Sequence, residues 1–202
     1  MVSVRIDGEQ STISGEHLPR LIDLIEVIKD HIVPGHMITA LHIDGRTISD
    51  EDWEISPRYL GGTTLEVTTG TPAQYLKEKV SAAPEVIDHC YFMFRSTRKA
   101  FIDGDSQSAN HLLQEAVDNL QAFVSWYRTM LELMPEDQRL RFGIDPEITE
   151  MGETLERICM QQLTQSWKLT GDTISKALEP QLDNLHSRMR VIIANEPGYK
   201  KV

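Results

Sequence analysis

The chain has 202 residues, of which 40% are apolar and 25% charged, a composition typical of a folded globular protein with a hydrophobic core. Its net charge of −11 argues against nucleic acid and against an anionic membrane surface as partners, because both recruit clusters of Lys and Arg. Acidic residues are concentrated in the N-terminal third, which suits a basic partner surface. The alternative is that this acidity only keeps the chain soluble.

The first 70 residues combine strand-like alternation with one helix-like repeat. Val2, Val4 and Ile6 alternate with polar residues, which predicts a half-buried strand. Apolar residues at steps of three and four begin at Leu18, and Pro34 follows the last of them. The predicted strands cover residues 2–6, 10–14, 37–43, 47–48 and 63–69, and the predicted helices cover residues 18–32 and, as a single turn, 49–53.

This order of elements, in about 70 residues, resembles the ubiquitin-like β-grasp fold. Residues 41–48 (Leu-His-Ile-Asp-Gly-Arg-Thr-Ile) resemble its third strand and turn, and residues 62–67 resemble its last strand. Modifiers of this family end in a free Gly-Gly after the last strand, whereas Gly61 and Gly62 precede that strand here. The resemblance therefore implies a binding module and disfavours both a conjugated modifier and an enzyme.

The apolar period changes from two to 3.6 after Gly70-Thr71-Pro72, which predicts a β-grasp domain over residues 1–71 and a helical domain over residues 73–202. Residues 135–146 contain two prolines and are interpreted as a loop. Helices are predicted at residues 73–82, 86–101, 106–134, 148–163 and 174–192. The expected fold class is α+β, with an antiparallel bundle of about four long helices in the second half.

An internal repeat supports this arrangement. Gly104-Asp105 and Gly171-Asp172 each precede a helix that carries Asp-Asn-Leu, which predicts two similar helical hairpins joined by tight turns. Chance similarity between amphipathic hairpins is the alternative. Pro180 lies inside the last helical pattern and either kinks that helix or marks its start.

The helical half resembles the flagellar export chaperone family that binds flagellin. The likeness lies in a long helix, a Gly/Asp turn, and a helix of the type Ala109-Asn110-x-Leu112 followed by Ala-Val. It covers about 110 residues in spacing and composition. The resemblance implies a four-helix bundle whose outer grooves hold a disordered or helical segment of a partner.

No set of residues has the spacing of a catalytic or metal site, so no catalytic residue, cofactor or metal is expected. Glu85, Asp88 and His89 come nearest to the Glu-x-x-His pairs of di-iron bundles, but Glu85 and His89 are four positions apart. An exposed acidic face is the favoured interpretation. The N-terminal histidines lack ligand spacing and are expected to be scattered on the surface. They are His17, His31, His36 and His42.

The two cysteines, Cys90 and Cys159, fall on apolar helical stripes and are predicted to be buried free thiols. The predicted partner-binding residues are Trp126, Tyr127, Met130 and Trp167, because Trp and Tyr are enriched at binding hot spots. Trp126 and Tyr127 point about 100° apart on a helix, so both cannot face one core seam. Core packing is the alternative for Trp167.

The sequence thus predicts a cytoplasmic, non-enzymatic adaptor or chaperone-like protein, since no leader peptide or membrane-length apolar run appears. Two other hypotheses remain open. One is a metal- or small-ligand-dependent enzyme with a site between the domains, built from Glu85, Asp88, His89 and the N-terminal histidines. The other is a structural homodimer joined through its long helices.

Overall fold

The structure, a computed structural model, describes residues 2–195. The protein belongs to the α+β class, as the sequence predicts, with a five-stranded mixed sheet followed by helices. The chain forms two compact units, Met1–Tyr75 and Leu76–Val202, which are described separately. None of the helices in the described part of the chain is long and apolar enough to cross a membrane.

The strands are β1 (Ser3–Ile6), β2 (Glu9–Gln10), β3 (Met37–Ile43), β4 (Arg46–Thr47) and β5 (Thr64–Gly70). The helices are α1 (Leu21–Lys29), α2 (Pro72–Ser81), α3 (Ala83–Ile102), α4 (Ser106–Glu132), α5 (Glu136–Phe142), α6 (Asp145–Leu163), α7 (Trp167–Thr173) and α8 (Glu179–Asn195). Short 3₁₀ turns lie at Asp50–Glu54 and Pro57–Leu60. A π-helical turn at Ile174–Leu178 joins α7 to α8.

The N-terminal unit is a sheet with one helix packed on it. The strand order is β2-β1-β5-β3-β4, with β1 parallel to β5 and the remaining pairs antiparallel. Alternating inward residues of the strands meet the apolar stripe of α1, which explains why a period of two and a period of 3.6 coexist in this unit. The buried core is formed by Val2, Val4, Leu21, Leu24, Ile25, Ile28, Ile43, Leu65 and Val67.

Two elements of this unit are shorter than the sequence predicts. The helix predicted at residues 18–32 begins only at Leu21, because Arg20 is extended (φ −138°) and the Leu21 amide donates to the Ile55 carbonyl at 2.8 Å. The strand predicted at residues 10–14 ends at Gln10. There the Ser11 hydroxyl accepts from the Ile13 amide at 3.2 Å, a local bond that competes with strand pairing.

A buried carboxylate fixes the 3₁₀ turn at Asp50–Glu54. Asp52 accepts hydrogen bonds from both terminal nitrogens of Arg46, at 2.7 and 2.9 Å, and from the amide and hydroxyl of Ser49. The Arg46 bonds, and then the Ser49 bonds, hold the pKa of the Asp52 carboxyl well below its usual range. The turn is therefore tied to β4 by a charge-assisted network.

We expect Asp52→Asn to destabilise the N-terminal unit at neutral pH but not in acid. Because the pKa of Asp52 is depressed by folding, its contribution is present above the unfolded pKa of about 4 and is lost as the pH falls through the folded pKa. Urea denaturation followed by Trp53 fluorescence, with Trp126 and Trp167 changed to Phe, measures the free energy of unfolding of variant and parent at each pH. A difference between variant and parent that stays constant from pH 7 to strong acid would contradict the assignment.

In the helical unit, α3 is the central helix. It packs on α4, α7 and α8, while α6 packs on α7, the π turn and α8. Two ion pairs with buried carboxylates join these helices: Arg98 of α3 contacts Glu179 at 2.7 Å, and Arg188 of α8 contacts Glu147 of α6. Arg188 also donates to the Gly143 carbonyl at 2.7 Å. The long helices are therefore joined by polar contacts as well as by apolar packing.

The predicted turn at Gly171-Asp172 is wrong. Gly171 lies buried within α7, where packing against α3 overrides the local Gly-Asp signal. The chain turns instead at Gln165, whose φ is +53°. The Gln165 and Ser166 amides donate to the Gln162 and Gln161 carbonyls, at 2.9 and 2.8 Å, as in a Schellman cap. A glutamine at this left-handed position gives no glycine signal in the sequence.

Pro180 is the second residue of α8, but helical structure runs without a break from Trp167 through the π turn to Asn195, so Pro180 lies inside a longer helix. Proline lacks the amide that would bond four residues back, and its ring crowds that carbonyl. The π-helical turn at Ile174–Leu178 immediately precedes it and widens the backbone at this place. The predicted start near residue 174 is wrong for the same reason.

The segment 135–146, interpreted as a loop, contains the short helix α5. Pro135 lies just before its first turn, where a missing amide costs nothing, and Glu136 and Asp137 suit the positive N-terminal end of the helix. Arg139 of α5 donates to the carbonyls of Leu131 and Glu132, the last residues of α4, and of Met134 just beyond it. The segment is therefore an ordered cap on α4.

The two thiols differ. Cys90 is buried, as predicted, but Cys159 is exposed, so the prediction for Cys159 is wrong. Burial raises the pKa of the Cys90 thiol to about 11.

We expect iodoacetamide at pH 8 to alkylate Cys159 and spare Cys90 in the folded protein, and to alkylate both in urea, as measured by peptide mass spectrometry. Modification of Cys90 at the rate of Cys159 without denaturant would contradict this burial.

Candidate functional site

A groove of about 520 Å³ runs between α4 and α6. Its floor is apolar and its α4 wall is polar, with two charged residues near one end. The α4 residues are Leu120, Gln121, Val124, Ser125, Arg128, Thr129 and Glu132, and the α6 residues are Ile148, Met151, Gly152 and Leu155. These spacings place each set on one face of its helix.

The groove exists because α4 and α6 are held by different neighbours. α4 packs on α3, whereas α6 packs on α7 and α8, and the backbones of α4 and α6 do not pack closely together. Gln162 donates to Asn110 at 2.8 Å near one end of the pair, and the Tyr127 hydroxyl donates to the Phe142 carbonyl at 2.8 Å. These bonds connect α4 to α6 and α5 while the groove between them stays open.

Gly152 forms an opening in the α6 side of the groove. It lies in the middle of a 19-residue helix, and a Cβ built there would have no heavy atom within 4 Å. Neither a left-handed backbone nor a close neighbour therefore requires glycine at this position. Glycine weakens a helix relative to alanine. Gly152 therefore destabilises α6, although no feature of the fold requires glycine there.

We expect Gly152→Ala to raise the free energy of unfolding of the helical unit by about 0.5–1 kcal/mol, because alanine has the higher helix propensity and meets no neighbour. Urea denaturation followed by circular dichroism measures it. The matched control is Gly104→Ala, whose φ of +84° should make the same substitution destabilising. A loss of stability in Gly152→Ala would show that the position is crowded.

The lining of the groove carries one acidic and one basic residue, Glu132 and Arg128, and Arg139 contacts the Glu132 carbonyl at the same end. Glu132 lies on the lining, and the exposed Asp145 and Glu156 flank the α6 side by helical periodicity. Arg128 is the basic residue of the lining. The acidic excess around the apolar floor therefore comes from Asp145 and Glu156 on the α6 side, and this acidic rim favours an amphipathic ligand with basic flanks.

The predicted partner-binding residues do not line this groove. Tyr127 and Met130 are buried in the core, which removes them from any surface that a partner could reach without rearrangement. Trp126 is partly exposed and lies about 200° around α4 from Val124. Trp167 is partly exposed and stacks on Phe101, with ring centroids 5.7 Å apart, beside a shallow surface depression. The four residues thus divide between core and two separate surfaces.

The residues considered for metal binding are not brought together. Glu85, Asp88 and His89 are exposed on α3, and Asp88 lies 3.5 Å from His186 of α8. Within residues 2–195, no group of three or more His, Cys, Asp or Glu side chains is placed to hold a metal ion. The structure places His17, His31, His36 and His42 in separate segments of the N-terminal unit.

Sequence reasoning missed the groove because it searched for large aromatic residues. The available signal was Gly152, a helix-weakening residue in the middle of a strongly periodic helix with no turn residue beside it.

Comparison with known proteins gives no match to any protein-family model, curated protein or solved structure.

Proposed function

We propose that this protein is a non-enzymatic adaptor or chaperone-like protein that holds a helical segment of a partner protein in the α4–α6 groove. The observation that supports this function is the unfilled apolar floor, bounded by the polar wall of α4. An amphipathic helix buries its apolar face in a groove of this kind and leaves its polar face in solvent.

The dimensions of the groove suit a short helix. Its α4 lining extends from Leu120 to Glu132, which corresponds to about 18 Å along a helix axis. A partner helix of about three turns covers that length and presents apolar residues at steps of three and four. The acidic rim favours Lys or Arg on the flanks of the partner helix.

Each of the two units has a proposed fold of its own. For the N-terminal unit we propose a ubiquitin-like β-grasp domain, supported by the single helix on a five-stranded sheet whose first and last strands are parallel. For the helical unit we propose a four-helix bundle of α3, α4, α6 and the continuous helix 167–195. The proposed role is the one implied by the resemblance to flagellar export chaperones, in the cytoplasm.

A photo-crosslinker attached to Cys159 tests this function. Cys159 is exposed and lies one turn beyond Leu155 on the groove face of α6. Benzophenone-maleimide at Cys159 is photolysed in lysate of the cells that make the protein, and the linked peptide is sequenced. We expect one amphipathic, basic segment to be linked.

Two variants locate the contact. Ser125→Trp fills the groove from its exposed wall and should abolish the cross-link, whereas Asn119→Trp adds the same side chain elsewhere on the exposed surface of α4 and should preserve it. Equal cross-linking in both variants, or no cross-linked partner in the unmodified chain, would contradict the proposal. A cross-link to a second copy of the chain would favour the homodimer hypothesis instead.

A further inference from the structure

We propose that the opening at Gly152 receives one large apolar side chain, Leu or Phe, of the partner helix, and that this anchor determines which helices the groove selects. The inference rests on the proposed function and concerns the chemistry of the partner. It starts from the fact that neither the backbone nor any neighbour requires glycine at position 152.

A glycine in a helix surface can serve two kinds of contact. It can let a second backbone approach closely, which requires small residues on successive turns, or it can leave room for a single side chain. The residues one turn away from Gly152 toward the groove are Ile148 and Leu155, both large. They keep a partner backbone at ordinary distance, so only a side chain can enter the opening.

The surroundings of the opening are apolar on the sides that a ligand would touch. Ile148, Met151 and Leu155 line the groove beside Gly152, and Leu120 and Val124 line it from α4. Met151 and Leu120 are buried, so they form the floor, and methionine adapts its shape to an inserted group. A large aliphatic or aromatic side chain placed here contacts this apolar lining on one side and loses part of its contact with water.

The rim charges determine the rest of the ligand. Glu132 and Arg128 of the lining offset each other, and the exposed Asp145 and Glu156 add two carboxylates on the α6 side by helical periodicity. The occupant is therefore an amphipathic helix of about three turns with one large apolar anchor and basic flanks.

Disulfide tethering at Cys159 tests the anchor with defined peptides and the full-length chain. Cys159 is seven residues after Gly152, so it lies about 10 Å along α6 and within about 20° of the same direction. The probes are 14-residue amphipathic peptides (roughly four helical turns) with Lys flanks. Each carries a cysteine activated with thionitrobenzoate about seven positions (two turns) from an anchor that is Phe, Leu or Ala. The Cys159 thiolate displaces thionitrobenzoate and forms the mixed disulfide, and buried Cys90 stays unreacted.

The concentration of 2-mercaptoethanol that releases half of each peptide is then measured. We expect the Phe and Leu peptides to require about tenfold more thiol than the Ala peptide, because the anchor is removed from water in the opening. The difference should disappear in Gly152→Leu, where the new side chain occupies the opening. In Gly152→Ala, which keeps the helix intact, the Phe and Leu peptides should still need more thiol than the Ala peptide, but by a smaller factor.

Equal release of all three peptides, or a difference that survives in Gly152→Leu, would overturn the anchor proposal. A scrambled peptide of the same composition separates this failure from failure of the proposed function. If the Ala peptide is retained more strongly than the scrambled peptide, the groove binds a helix without a special anchor. If no peptide exceeds the scrambled one, both proposals are wrong.

Discussion

Replacement of Tyr127 by alanine is expected to lower the free energy of unfolding of the helical unit by about 3–5 kcal/mol. The side chain is 1% exposed and stacks on Phe123, with ring centroids 5.8 Å apart. Its hydroxyl donates to the Phe142 carbonyl at 2.8 Å, which connects α4 to the end of α5. The substitution leaves a cavity and removes this buried bond. Urea denaturation followed by circular dichroism at 222 nm (the helix band) measures the loss.

Two further substitutions separate packing from hydrogen bonding. Tyr127→Phe keeps the ring and removes the hydroxyl, so we expect a smaller loss of about 1–2 kcal/mol. Trp126→Ala, at the partly exposed neighbouring position, should also cost less than Tyr127→Ala. If Tyr127→Ala were as stable as the parent but no longer bound a partner, Tyr127 would be a surface contact. That result would contradict its placement in the core.

Replacement of Arg98 by alanine is expected to lower the free energy of unfolding by about 3 kcal/mol. Arg98 contacts Glu179 at 2.7 Å, and the Glu179 side chain is only 10% exposed. Removing the guanidinium leaves a carboxylate with little access to water beside the π turn. The same denaturation measurement, made at neutral pH, detects the loss.

The control removes both charges. In the Arg98→Met, Glu179→Leu double variant, apolar groups of similar length replace the pair, and we expect most of the stability to return. If the double variant is as unstable as Arg98→Ala, the loss comes from packing of the Arg98 stem and the ion pair contributes little. If Arg98→Ala is as stable as the parent, Glu179 is hydrated in solution and the pair is not a buried one.

The alternating and helical periods were sufficient to predict the fold class and most elements. The strand predicted at residues 37–43 is β3 to the residue, and the Gly104-Asp105 turn ends α3 with Gly104 at φ +84°. These positions carry signals that the backbone requires, since glycine is favoured where φ is positive. Local chemistry and tertiary packing agree at such places, so the sequence is sufficient.

The errors arose where tertiary packing overrides local chemistry. Gln165 adopts a left-handed backbone that glycine usually supplies, and Gly171, which resembles a turn residue, is buried in a helix against α3. Cys159 follows the apolar period of α6 but is exposed. Its direction lies close to that of Gly152, so the apolar stripe of α6 is broader than the part that is buried.

The groove could not be predicted from periodicity for a related reason. An apolar stripe on a helix records which face avoids water, but not which neighbour covers it. Leu120 and Met151 satisfy the same pattern as the core residues Leu113 and Ile158, although they also line the groove. Only the placement of α4 on α3, and of α6 on α7 and α8, leaves this surface without a helix over it.

The central claim is that the α4–α6 groove is the binding surface. Hydrogen–deuterium exchange of the full chain, with and without the segment captured through Cys159, tests it most directly. We expect slower exchange in residues 120–132 and 148–155, with little change in the N-terminal unit. Unchanged exchange in both segments, with protection around Trp126, around Trp167 or in the β-sheet instead, would contradict the claim.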